Sequence, residues 1–113
     1  MKGEFSILKG KVEGVRSESV LYGKTITIIG DSYVAGHTLD QSLTWSAKLA
    51  AKYNMTYNNY GINGNALPVT TISGSAVLER YTEMADNADY VIVVGGKNDY
   101  NYNVPIADFK TGL

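Results

Sequence analysis

The segment Thr25-Ile26-Thr27-Ile28-Ile29-Gly30-Asp31-Ser32 constrains the fold more than any other part of this chain. It is a β-branched, apolar run that stops abruptly at Gly-Asp-Ser. A strand buried on both faces of a parallel sheet reads as such an unbroken run. Open α/β sheets collect their ligands just past the carboxyl ends of their strands. Ser32 therefore stands where a nucleophile would stand.

The pattern beyond this segment extends the same architecture. Thr25 to Ile29 reads as the first strand, followed by a loop over residues 33–41 with Gly36 as a breaker. Ser42 to Tyr53 reads as a helix, with Trp45, Leu49 and Tyr53 on one core-facing stripe and Lys48 and Lys52 on the other side. Thr56 to Tyr60 is a second strand, and Gly61 to Ser75 a loop. Ala76 to Ala85 reads as a second helix with Val77, Leu78, Tyr81 and Met84 inward and Glu79, Arg80 and Glu83 outward. Tyr90 to Val94 is the third strand, and Gly95 to Pro105 a polar, aromatic loop. The order β-α-β-α-β predicts a parallel sheet with right-handed crossovers. Residues 1–23 alternate only weakly between glycines and read as a leader or the tail of a preceding module, with room for a short hairpin; residues 24–113 form the domain.

Composition removes several function classes. The 113 residues suffice for one domain, and a net charge of −1 gives no electrostatic reason to expect nucleic acid or an anionic membrane as partner. With no cysteine, disulfides, thiolate metal sites and cysteine nucleophiles are excluded; with His37 as the single histidine, so is a histidine-rich metal site. The reading expects no metal and no organic cofactor. No apolar run is long enough to span a bilayer. The first 22 residues show no apolar h-region, which leaves the location unassigned and cytoplasmic by default. Asn54-Met55-Thr56 matches the glycosylation pattern, a three-residue match that reads as chance.

Each predicted strand ends in a polar motif: Gly30-Asp31-Ser32, then Asn59-Tyr60-Gly61-Ile62-Asn63-Gly64-Asn65, then Gly95-Gly96-Lys97-Asn98-Asp99. In a parallel sheet the three tips share one edge. A serine hydroxyl attacks a carbonyl once a base takes its proton, and the resulting oxyanion needs fixed donors. Gly64 can present a backbone N–H with no Cβ in the way, and Asn98 can add a carboxamide N–H. Asp31 and Asp99 suit the holding of loop N–H groups better than chemistry. Each motif also has a plainer reading: Ser32 as a cap, Asn63-Gly64 and Asn98-Asp99 as turns, Lys97 as a solvated side chain.

Taken together, the three motifs resemble those of the SGNH or GDSL-type hydrolases, a family of serine esterases, lipases and carbohydrate deacetylases. Gly30-Asp31-Ser32 is similar to the first family block, Asn59 to Gly64 to its Asn-x-Gly-x-x-Gly, and Gly96-Lys97-Asn98-Asp99 to its Gly-x-Asn-Asp. The resemblance covers about Lys24 to Val104. It implies a three-layer α/β/α, flavodoxin-like sheet of order 2-1-3-4-5. It also implies Ser32 as nucleophile, and an oxyanion hole of the Ser32 N–H, the Gly64 N–H and the Asn98 carboxamide, supported by Gly30, Asp31 and Asp99. The implied substrate is a small acyl ester, a lipid ester or an acetylated carbohydrate. Tyr100 and Tyr102 are candidates for the substrate rim.

The family's last block, Asp-x-x-His, has no counterpart in this sequence: the residue three before His37 is Val34, and no histidine follows it. Strands four and five of the fold have no counterpart either. The expectation is the N-terminal portion of a longer hydrolase, whether an engineered truncation, a proteolytic product or an interrupted reading frame. Without the general base, its hydrolysis should be weak, by about 10⁴–10⁶-fold. His37 could substitute as base but reads more simply as an exposed loop residue. An unpaired, apolar edge on strand 90–94 predicts a homo-oligomer. Two other functional classes stand beside the hydrolase. One is a non-catalytic, hydrolase-derived module for carbohydrate binding or assembly. The other is a nucleotide-binding domain, which the segment Gly30 to Thr38 fits poorly, having five residues between its glycines and His37 where a phosphate loop has lysine.

Overall fold

The computed structural model describes residues 14–113. Strands β1 (Thr25–Gly30), β2 (Thr56–Gly61) and β3 (Tyr90–Val94) form a parallel sheet of order β2-β1-β3. Gly30 faces Gly61 on one side and Val94 on the other, so all three strands finish level. The helices are α1 (Ser32–Ala35), α2 (Trp45–Lys52), α3 (Val77–Arg80), α4 (Lys97–Asn101) and α5 (Ile106–Thr111), with 3₁₀ turns at Gln41–Leu43 and Tyr81–Glu83. The parallel α/β sheet is the one the β-α-β-α-β pattern predicted, and its order 2-1-3 is the one the family resemblance implied. None of the described helices is long and apolar enough to cross a membrane.

β1 is central, and its side chains alternate between two cores. Ile26 and Ile28 pack with Val34 and Ala50, against Leu49, Met55, Tyr57, Ile92 and Val94. Ile29 packs on the opposite side with Leu67 and Val77, against Tyr60, Met84 and Phe109. Burying each isoleucine contributes about 1.5–3 kcal/mol, so the strand that leads into Ser32 is firmly held. β3 is covered on one face only: Ile92 and Val94 reach the first core, while Val91 and Val93 remain more than half exposed, 53% and 56%.

Several local expectations need correction. The segments read as loops after β1 and β3 each contain a short helix, α1 and α4, and α5 extends the chain beyond them. Residues 42–53 are not one helix, because Thr44 is extended and caps α2, its Oγ1 accepting from the Ala47 N–H at 3.3 Å. The buried face of α2 is Ser46 and Ala50, and Trp45 is 47% exposed instead of core. Small residues face the sheet here because Ser46 Oγ lies 2.6 Å from Tyr57 Oη of β2, a contact that leaves no room for an indole. Of the inward set assigned to the second helix, Val77 is buried and Met84 half-buried, but Leu78 and Tyr81 are exposed. Arg80, read as outward, is buried. The 1–23 leader lies mostly outside the described residues; residues 14–23 form a helical turn and further turns with no strand.

Candidate active site

Ser32 opens α1 directly after β1. Asp31, extended and almost fully buried, caps this helix by accepting from the Tyr33 N–H at 2.9 Å. Gly36 closes it in the left-handed region at φ 102°, donating to the Ser32 carbonyl at 2.9 Å. The turn lies on a floor without side chains. A Cβ on Gly61 would overlap the backbone of Ala35, and one on Gly30 would overlap the Val94 carbonyl and meet Val34 Cγ2 at 3.1 Å. Asn59 fastens the same turn to β2, donating to the Val34 carbonyl at 2.7 Å and accepting from the Gly61 N–H at 2.8 Å.

The loop after β2 and the loop after β3 are fastened to each other. Asn98 Nδ2 donates to the Asn65 carbonyl at 3.0 Å, which uses one of its two amide protons. Asp99, nearly fully buried, accepts from the Leu67 N–H at 3.0 and 3.1 Å and from the Gly96 N–H at 3.2 Å. Gly64 has φ +79°, a conformation that suits glycine, and a Cβ there would overlap Ser73 Oγ. The second loop also reaches the first: Asn63 Nδ2 donates to the His37 carbonyl at 3.2 Å. Among the described residues, the N–H groups of Ser32 and Gly64 and the Ser32 hydroxyl have no protein partner.

Ser32 opens onto a cavity of about 480 Å³ whose wall includes Tyr33, His37, Leu39, Leu43, Trp45 and Lys97. Lys97 Nζ stands 5.8 Å above the Tyr33 ring, within the range of a cation–π contact. Tyr100 and Tyr102 are exposed but do not line this cavity, and Tyr100 borders a smaller one with Phe109. The aromatic and aliphatic wall was not read from the sequence, where Trp45 passed as core and Lys97 as solvated. Burial raises the pKa of Asp31; its hydrogen bond from Tyr33 opposes the rise, nearby Asp99 adds to it and Lys97 lowers it. Burial lowers the pKa of Arg80, with Glu83 opposing. Among the described residues no three His, Asp or Glu side chains cluster as metal ligands would.

The family description "GDSL-like Lipase/Acylhydrolase family" matches residues 28–113, from the end of β1 through all three polar motifs. The chain belongs to the GDSL-like lipase/acylhydrolase family. Its fold is similar to that of the SGNH-hydrolase family esterase AlinE4, at 25% identity and TM-score 0.64, covering 83% of this chain and 51% of that one. It is also similar to a G-D-S-L family protein from Desulfitobacterium hafniense DCB-2, at 21% identity and TM-score 0.68, covering 80% of this chain and 49% of that one. This GDSL-like chain thus spans about half the length of the solved structures it matches. No curated protein sequence matches it significantly.

Proposed function

We propose that this chain carries the nucleophile and oxyanion donors of an acyl hydrolase. Ser32 Oγ attacks the ester carbonyl, a new Oγ–C bond forms, the hydroxyl proton passes to a base, and the alcohol leaves on collapse of the tetrahedral intermediate. The Ser32 N–H, the Gly64 N–H and the second Asn98 Nδ2 proton receive the oxyanion, for which each donor lowers the barrier by about 2.7–4 kcal/mol. The observation that carries this reading is the interlocking of the three strand-end loops beside the half-buried Ser32, which opens onto the cavity, through Asn98 to Asn65 and Asn63 to His37. Family membership supports acyl chemistry in general. The cavity wall of Leu39, Leu43 and Trp45 favours a substrate with an apolar acyl or ring portion.

No base is hydrogen-bonded to Ser32 among the described residues, so the 113-residue chain should acylate slowly unless a base is supplied. The test is incubation with p-nitrophenyl acetate and imidazole as an external base, followed by peptide mapping by mass spectrometry. One acetyl group on Ser32, absent from Ser32→Ala, is the expected result. An unmodified Ser32 under conditions that acetylate surface lysines would overturn the nucleophile assignment and leave the binding-module reading in its place.

A further inference from the structure

Arg80 is 5% exposed, yet every hydrogen bond it makes goes to an uncharged oxygen. Its Nε donates to Asn65 Oδ1 at 3.1 Å, and Nη2 donates to the same oxygen. Nη1 donates to the Tyr60 carbonyl at 3.0 Å, and Nη2 also reaches the Gly30 carbonyl at 3.4 Å. One guanidinium therefore joins the end of β1, the end of β2 and the loop between β2 and α3. Removing a cation from water is expensive, and such a group is held only where its donors are satisfied. The lowest-energy use of this position for stability alone would be an apolar side chain, as at Val77 one turn earlier on α3.

Asn65 is the junction. It follows Gly64, is fully buried, donates from Nδ2 to the Ser75 carbonyl, and accepts Asn98 Nδ2 on its own backbone carbonyl. We infer that Arg80 is a positioning residue for the oxyanion donors: by gripping Asn65 it fixes the Gly64 N–H on one side and the Asn98 carboxamide on the other. The inference rests on the reading of Ser32 as nucleophile. Its chemical content is geometric. A forked guanidinium aims two N–H groups at one oxygen and two more at the strand-end carbonyls, whereas an ammonium cannot reproduce that fork. Displacement of the donors by about 1 Å is enough to slow acyl transfer by about 100-fold.

The experiment compares rates of Ser32 acetylation by p-nitrophenyl acetate with imidazole, in the full 113-residue chain and in Arg80→Met, Arg80→Lys, Asn98→Ala and the Arg80→Met/Asn98→Ala double variant, with thermal melting of each. Arg80→Met should slow acetylation by up to about 100-fold, and the same substitution in the Asn98→Ala background should slow it severalfold less, because one of the groups it aims is gone. A merely structural role predicts equal losses in both backgrounds. If Arg80→Met does not melt cooperatively, Arg80→Lys carries the comparison, and it should fold and still acetylate more slowly than the parent chain. Equal rates in parent and variants, equal losses in both backgrounds, or failure of both Arg80 variants to fold would each overturn the inference. An unacetylated parent chain would instead remove the nucleophile reading beneath it.

Discussion

At the scale of single residues, the loops around Ser32 are held by buried carboxyl groups that accept from backbone N–H groups. Asp31 caps the turn that presents Ser32, and Asp99 gathers the N–H groups of Leu67 and Gly96. Burial raises the Asp31 pKa above its ordinary 3.8, so between that pH and the raised value the folded chain holds a proton that the unfolded chain has lost. Stability contributed by Asp31 therefore falls as pH rises through this window and stays reduced above it. In urea unfolding followed from pH 3 to 7, the stability of the parent chain relative to Asp31→Asn should fall as pH rises through this window. A difference independent of pH would show that the Asp31 pKa is the same in the folded and unfolded chain and would overturn this prediction. Arg80 was misplaced by its charge: read as a solvated side chain, it is buried, one turn after the buried Val77, and the i, i+3 spacing of 77 and 80 was the available signal.

At the scale of elements, the strands were legible and the short helices were not. An apolar run such as Ile26 to Ile29 announces a buried strand through its own composition. A four-residue helix such as α1 has no such signature, since isolated turns are unstable and this one exists because Asp31, Asn59 and Gly36 hold its ends. The start of α2 was misread for a related reason: Thr44, inside the periodic stretch, caps the helix instead of extending it. Its Oγ1 accepts from Ala47 N–H and donates to the Gln41 carbonyl at 2.8 Å. Thr44→Ala should lower stability by about 1 kcal/mol, read as a lower urea midpoint with an unchanged slope. No measurable change would mean that α2 is held by Ser46, Ala50 and Leu49 alone. The polar motifs at the strand ends were legible as motifs; the bonds between them, such as Asn98 to Asn65, depend on loop paths that no local pattern encodes.

At the scale of the whole molecule, the two faces of the sheet are unequally covered. Beside β3 an apolar groove of about 450 Å³ runs past Ile29, Leu67, Val77, Met84 and Val93, and among the described residues no strand pairs with the outer edge of β3. Open apolar edges recruit further strands, so the chain should self-associate in sedimentation experiments, and Val93→Lys should shift it toward monomer. A parent chain that sediments as a monomer at the highest accessible concentration would count against association through this edge. The bare floor beneath α1 has a different consequence. Because Gly30 and Gly61 admit no side chain, the height of the serine above the sheet is set by backbone thickness alone. Efforts to reshape the pocket for a bulkier ligand cannot dig downward; they must work at the walls, where Leu39, Leu43 and Trp45 offer side chains that can be shortened without disturbing the platform.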